Sequence, residues 1–233
     1  DNIDATFVMK THKEYWSNCF GSKYADKVCF VDIPLLVDRW VRPEKKGTII
    51  SMLYSGRIDK RYRSPSYLLG LLSELKKHLS YSFSFYSEGD CESEIEFAAR
   101  QNPFIKQCGY VDQDVLNNEI IKSDVLVNIG NTVSNNLPSK LIQYISYGKP
   151  IIHISHQRND VCEEYLYKYG KSLIVRETDP VNVSVNRIIN FIDNLDCMSS
   201  SFTQISGSLF MNTPEYSAGE IDKMIRKRSV SNL

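Results

Sequence analysis

The chain has 233 residues, enough for one full α/β domain with a small second lobe and too few for two large domains. Lysine plus arginine and aspartate plus glutamate both total 28, so no overall basic field points to nucleic acid and any anion site must be local. Six scattered cysteines, without a CxxC pair or metal-ligand spacing, are typical of small apolar residues in a reducing compartment.

The first 46 residues do not belong obviously to the main unit. Their apolar patterns predict a strand at residues 5–9, a helix at 13–19 and a second strand at 28–31, and two prolines follow. We interpret residues 1–46 as the end of a preceding domain and a linker.

From Thr48 onward, short apolar runs alternate with amphipathic segments. The predicted strands are residues 49–54, 83–86, 105–110, 124–129, 151–154 and 172–175. The predicted helices are residues 65–78, 92–100, 113–122, a segment between Pro138 and Gly148, 160–168 and 181–195. This alternation predicts an α/β fold over residues 47–195: a doubly wound, Rossmann-like parallel sheet of about six strands. Residues 196–233 form a carboxyl-terminal segment, turn-rich after Cys197 and with a terminal helix at 215–227.

The clearest functional signal is DVLVNIGNTVSNNLPSKLIQYISYGKPII at residues 124–152. Lys140 lies in the first turn of its helix, where a positive charge faces the positive end of the helix dipole unless an anion binds nearby. The Ser139 hydroxyl, the Lys140 ammonium and the amides at the helix start are therefore predicted to bind a phosphate at the carboxyl end of a strand. A solvated lysine beside a capping serine is the alternative interpretation.

A second basic cluster follows the first strand of this unit, in YSGRIDKRYRSP. If the first and fourth strands are neighbours, Arg57 or Arg63 could hold one diphosphate from the side opposite Lys140. Lys60 and Arg61 are interpreted as solvated loop residues.

Four segments resemble, in order and spacing, the carboxyl-terminal domain of GT-B glycosyltransferases of the group 1, family 4-like type. They are SGR after the first strand, GYV at Gly109, SDVLVNIG, and LPSKLIQYISYGKPII. The resemblance covers residues 47–195 and implies that this domain holds a nucleotide-sugar donor, UDP- or GDP-linked, as a substrate with no further cofactor. A sugar or lipid-linked acceptor would be held by an amino-terminal domain that ends within residues 1–46.

The same resemblance implies a metal-independent, hexosyltransferase-like enzyme of polysaccharide biosynthesis, inactive as this fragment alone. The residues it assigns to the donor diphosphate are Arg57, Arg63, Ser139 and Lys140. Those it places near the nucleobase are Gly109, Tyr110 and Val111. Many retaining members carry two glutamates across the helix, where this chain has Asn135 and Gln143, whose amides can hydrogen-bond a ribose or sugar hydroxyl. No catalytic residue is assigned, and the stereochemical outcome stays open.

The sequence also argues against two other classes of α/β protein and against a metal site. A dinucleotide-dependent oxidoreductase would show GxGxxG after a strand, but Gly56 stands without the other two glycines. A receiver-like signalling domain needs acidic residues at strand ends, whereas Asp124 begins its strand. His153 and His156 are three residues apart on a strand and so face opposite sides, and no metal site is expected. A non-catalytic module that binds a sugar nucleotide or a protein partner remains the open alternative.

The chain shows no stretch near the ~20 apolar residues of a membrane span and no signal-peptide pattern. We expect a cytoplasmic protein without a nucleic-acid partner. Peripheral contact with the inner face of the membrane, through the preceding domain, is left open.

Overall fold

A computed structural model describes residues 6–23, 25, 27–41, 48–195 and 200–231, with side chains through residue 227. Ala5, where the first predicted strand begins, the predicted domain boundary at residues 46–47, and Cys197 lie outside the described residues.

The described residues form two parallel sheets, one of two strands and one of six. The small sheet pairs β1 (Thr6–Met9) with β2 (Val28–Val31), and α1 (Lys13–Phe20) connects them. The strands of the large sheet are β3 (Ile50–Ser55), β4 (Tyr81–Tyr86), β5 (Ile105–Gln107), β6 (Val125–Ile129), β7 (Ile151–Ser155) and β8 (Ser172–Arg176). The remaining helices are α2 (Ser66–Leu75), α3 (Glu92–Gln101), α4 (Gln113–Lys122), α5 (Ser139–Ser146), α6 (Cys162–Tyr169), α7 (Val181–Asp193), α8 (Phe202–Ser208) and α9 (Pro214–Ser231). The predicted α/β fold is confirmed.

The strand order of the large sheet is β5-β4-β3-β6-β7-β8. The predicted neighbours β3 and β6 are paired in parallel, with Tyr54 opposite Val127. The chain therefore builds the sheet outward from β3 in one direction, returns to place β6 beside β3, and continues in the other direction. Open α/β sheets bind ligands at such a reversal, in the crevice outside the carboxyl ends of the strands.

Both faces of the large sheet are covered by helices. Alternate residues of a strand point to opposite faces, so Met52 and Tyr54 pack in one core with residues of α2, α3 and α7. Leu53 lies between them and packs in the other core with residues of α4, α5, α6 and α8. All residues of β6 and β7 are buried, as expected for continuous apolar strands inside a parallel sheet.

Residues 32–41 pack against the helices of the large sheet. Ile33 and Leu36 are buried in the core that contains α5 and α6. The Tyr165 hydroxyl donates to Asp32 Oδ2 at 2.7 Å, and the Val41 amide donates to the Tyr147 carbonyl at 3.1 Å. The predicted linker therefore contributes to the second core.

The polar run after Cys197 is not simply turn, because residues 202–208 form α8. Ser201 Oγ accepts from the Gln204 amide at 3.3 Å, and Gln204 Oε1 accepts from the Ser201 amide at 2.9 Å. This reciprocal capping starts the helix, which then buries Ile205.

None of the helices in the described ranges combines the length and apolar character needed to cross a bilayer.

Gly148 provides a test of how residues 32–41 are held. It has φ 68°, and a Cβ there would lie 2.5 Å from an atom of the Trp40 ring. Gly148→Ala adds backbone strain and a clash, so we expect the free energy of unfolding to fall by about 2–4 kcal/mol. Gly170→Ala is the matched control, because Gly170 has φ 75° but no atom within 4 Å of its would-be Cβ. Urea denaturation measures both variants, and equal losses would contradict the contact between Trp40 and Gly148.

Candidate functional site

A pocket of about 160 Å³ lies outside the carboxyl ends of β3 and β4, beside the start of α5. The residues that line it are Ser55, Gly56, Arg57, Tyr86, Ser87, Glu88, Tyr110, Val111, Gln113, Leu116 and Lys140. The pocket thus lies at the edge of the sheet where the reversal of strand order predicts a ligand.

Arg57 reaches the pocket from the turn after β3. The Gly56 amide donates to the Tyr86 carbonyl at 3.1 Å, and the Ile58 amide donates to the Glu88 carbonyl at 2.9 Å. These bonds continue the parallel pairing of β3 and β4 beyond the ends of the strands. They hold the exposed Arg57 at the pocket beside Glu88.

Lys140 reaches the same pocket from the first turn of α5 and is half-buried. Burial lowers the pKa of Lys140, and the positive charge of Arg39 lowers it further. Among the described residues, no hydrogen bond or ion pair to the Lys140 ammonium is found. An anion in the pocket would offset both effects.

The start of α5 carries no side-chain cap. Pro138 is the N-cap residue with an extended backbone, ψ 121°, and Ser139 is exposed without a capping hydrogen bond. The structure therefore does not show the alternative in which Ser139 merely caps the helix.

Arg63 occupies a different position from Arg57 and does not line the pocket. Its Nη2 donates to Asn131 Oδ1 at 3.0 Å and its Nη1 donates to the Arg57 carbonyl at 3.3 Å. Within the described ranges its Nε is buried without a partner. Arg63 thus connects the Arg57 turn to the loop after β6.

The predicted nucleobase region borders the pocket because β5 is shorter than predicted. The strand ends at Gln107 instead of Tyr110, and Gly109 turns the chain with φ 67°. Val111 and Tyr110 consequently line the pocket, and the Tyr110 side chain is 77% exposed. An exposed aromatic ring at a pocket edge is suited to stacking on a nucleobase.

Several residues singled out from the sequence lie outside this pocket lining. Asn135 and Gln143 are half-buried, in the loop before α5 and on α5 itself. Lys60 is exposed, and Arg61, also exposed, lies over the Tyr62 ring at 5.1 Å. The structure therefore brings Arg57, Lys140, Tyr110 and Val111 together; Gly109, Ser139, Asn135, Gln143 and Arg63 lie outside the lining.

Ser87 is a pocket residue that sequence reasoning missed. Its side chain is buried, and its hydroxyl has no hydrogen-bond partner in the part of the chain that the structure describes. The Gln107 amide nitrogen donates to the Ser87 carbonyl at 3.4 Å, while Gln107 Oε1 is likewise without a described partner. Buried polar atoms without partners cost about 1–3 kcal/mol each, so a ligand that supplies partners is favoured here. The only sequence signal was that Ser87 directly follows a predicted strand.

A second polar cluster is buried where β6, β7 and α6 meet. His153 Nε2 lies 3.0 Å from Asp160 Oδ2, His153 Nδ1 lies 2.8 Å from Asn128 Nδ2, and the Cys162 amide donates to Asp160 Oδ1 at 2.9 Å. The ligand atoms of His153, Asp160 and Cys162 lie within 4.8 Å of one another, and each has a hydrogen-bond partner inside the protein. His156 pairs instead with Glu177 at 2.6 Å, so the two histidines have separate partners.

Solved structures that resemble this chain include glycosyltransferases and a sucrose-phosphate synthase. No family profile and no curated protein sequence matches it. Sucrose-phosphate synthase from Thermosynechococcus elongatus aligns with a TM-score of 0.69 at 15% identity, over 99% of this chain and 59% of that one. A mutant form of S. aureus TarM, in complex with fondaparinux, alpha-GlcNAc-glycerol and UDP, aligns with a TM-score of 0.68 at 12% identity, over 95% of this chain and 43% of that one. The apo form of the lipopolysaccharide outer core galactosyltransferase WaaB aligns with a TM-score of 0.60 at 13% identity, over 88% of this chain and 57% of that one.

At these identities the likeness establishes the fold. This chain has the fold of the carboxyl-terminal half of GT-B glycosyltransferases, as its sequence resemblance implied. The chain spans between 43% and 59% of the length of the solved structures it matches.

Asp160 gives the buried cluster a pH-dependent contribution to stability. Burial acts to raise the pKa of Asp160, but the hydrogen bond and charge of His153 and the Cys162 amide outweigh burial and leave this pKa below its usual value. As the pH falls, the Asp160 carboxylate is therefore protonated in the unfolded chain before it is protonated in the folded chain. The stabilisation that Asp160 provides is complete above about pH 4 and is lost as the pH falls through the lowered pKa.

Asp160→Asn is expected to lower the free energy of unfolding at pH 7 by about 3 kcal/mol, because it breaks a buried pair, and to make stability less sensitive to acid. The control is Glu164→Gln, which changes a more exposed carboxylate paired with Lys168. Urea denaturation at pH 7 and at about pH 2, where the contribution of Asp160 is being lost, measures both. An acid sensitivity of Asp160→Asn equal to that of the unaltered chain would contradict the role given to this carboxylate.

Proposed function

We propose that this chain is the donor-binding half of a glycosyltransferase and that Arg57 and Lys140 hold the diphosphate of a UDP- or GDP-linked sugar. One observation carries the proposal: a cation from the turn after β3 and a cation from the first turn of α5 line one pocket, and no described carboxylate pairs with the Lys140 ammonium. A diphosphate brings at least two negative charges, which arginine can bind with two parallel hydrogen bonds and lysine as a point charge.

The rest of the pocket is compatible with a nucleotide. The exposed Tyr110 and the neighbouring Val111 offer a stacking surface for the base. The Ser87 hydroxyl would gain the hydrogen-bond partner that it lacks among the described residues. Asn135 and Gln143 are proposed to contact the donor sugar or ribose, and Ser139 the diphosphate.

The chemistry assigned to this pocket is stabilisation of the leaving group. When the bond between sugar and diphosphate breaks, negative charge grows on the diphosphate, and preorganised cations and helix amides stabilise that charge most in the transition state. Arg57 and Lys140 would do this without a metal ion, while Arg63 holds the two loops together. The acceptor, a polysaccharide, another sugar or a lipid-linked sugar, would bind to the other half of the enzyme.

A non-catalytic binding module of the same fold is the second candidate. It is favoured by Asn135 and Gln143, amides at positions where many retaining transferases carry glutamates. The two candidates differ in an assay of donor hydrolysis and sugar transfer by a protein that contains both halves. Donor binding without turnover would support the module.

Calorimetric titration with UDP, GDP and ADP tests the donor pocket. We expect micromolar to millimolar binding of UDP or GDP, and Lys140→Ala should weaken it about tenfold or more, because a charge-assisted hydrogen bond is lost. Lys60→Ala is the matched control, since Lys60 is an exposed lysine outside the pocket lining; it should change affinity less than about twofold. Equal effects of the two substitutions, or no binding of any nucleotide, would refute the site.

A further inference from the structure

We propose that Tyr144 is a positioning residue for the donor diphosphate: its buried hydroxyl fixes the distance between the Arg57 turn and the helix that carries Lys140. The inference rests on the proposed function, since it assigns a residue to the same pocket without touching the ligand itself.

Tyr144 joins α5 directly to the end of β3. Its side chain is 0% exposed, and its hydroxyl accepts from the Ser55 amide at 2.7 Å. The same hydroxyl lies 3.0 Å from Ser55 Oγ and 3.3 Å from the Ser55 carbonyl. Every polar atom of Ser55 therefore lies within hydrogen-bond reach of one phenol, which comes from a helix 89 residues away in sequence.

The two residues that Tyr144 connects are next to the two cations. Ser55 lines the pocket and is separated from Arg57 by one residue. Lys140 precedes Tyr144 by four residues on α5, so both lie on the same side of that helix. A shift of Ser55 relative to α5 would thus change the separation of the guanidinium and the ammonium.

The end of the strand pairing explains why the Ser55 amide has a side chain as its hydrogen-bond partner. The pairing of β3 with β6 extends from Met52 to Tyr54 and ends before Ser55, so the Ser55 amide takes Tyr144 as its partner instead of β6. The register of β3 and β6 ends at this point, and the Tyr144 side chain is fully buried beside it. Burial raises the pKa of Tyr144, which keeps the hydroxyl protonated and able both to donate and to accept.

A positioning role predicts selective loss of diphosphate binding. Phenylalanine keeps the ring in the core but leaves the Ser55 amide without this partner, so the turn that carries Arg57 loses its hydrogen bond to α5 and keeps its bonds to the end of β4. The base contacts at Tyr110 and Val111 come from another loop and should be unaffected. Tyr144→Phe is therefore expected to weaken UDP binding about tenfold while uridine binding changes less than about twofold.

The experiment compares UDP and uridine binding, by calorimetry and ligand-observed NMR, in the unaltered chain, Tyr144→Phe and Tyr169→Phe. If the unaltered chain prefers GDP, then GDP and guanosine replace them. Tyr169 is the matched control: its buried hydroxyl donates to the Lys149 carbonyl at 2.8 Å, at the amino-terminal end of β7 and away from the pocket. It tests whether loss of any buried tyrosine hydroxyl has the same effect.

Each outcome is decisive. Selective loss of UDP binding in Tyr144→Phe alone supports the inference. Equal loss for UDP and uridine, the same loss in Tyr169→Phe, or unchanged UDP affinity overturns it. No UDP or GDP binding by the unaltered chain would instead refute the proposed function. If Tyr144→Phe does not fold, Tyr144→Met provides the comparison, because it also removes the hydroxyl and fills the core with a flexible apolar side chain; a UDP-selective loss then supports the inference, and any other pattern overturns it.

Discussion

The parallel pairing of β3 with β6 is the constraint on which the site depends. Because these strands are neighbours and run in the same direction, the turn after β3 and the helix after β6 meet at one edge of the sheet. That meeting places Arg57 and Lys140 at one pocket. The burial of Lys140 and the nearby charge of Arg39 both disfavour the charged form of the Lys140 side chain. A bound anion would offset this cost. The half-buried charge of Lys140 points to function more directly than the fold does, since many functions share an α/β fold.

Much of the fold could be predicted because a buried parallel strand has a distinctive pattern. Residues of β6 and β7 form continuous apolar runs, and the helices between strands show regular apolar spacing. The meeting of Arg57 and Lys140 was also predictable, because both follow strands whose carboxyl ends lie at the same edge in doubly wound sheets. These inferences need only local patterns and one general rule of topology.

The features that could not be predicted depend on contacts between residues distant in sequence or on the backbone conformation of a few residues. The hydrogen bond between Ser55 and Tyr144 joins residues far apart in sequence and leaves no periodic signal. The local pattern extended β5 to Tyr110, whereas the strand ends at Gln107 and Gly109 turns the chain, so only the family resemblance placed Tyr110 near the nucleobase. The short helix α8 was obscured by its serines, because residues that favour turns also cap helices. Residues 32–41 have no regular pattern, so their packing on α5 and α6 depends on the assembled core.

A crystal structure of the chain soaked with UDP and with GDP tests the central claim most directly. The account predicts diphosphate oxygens within hydrogen-bond distance of the Arg57 guanidinium and the Lys140 ammonium, with the base against Tyr110. An empty pocket at saturating nucleotide, or a nucleotide bound elsewhere, such as the groove between residues 36–38 and α8, would contradict it.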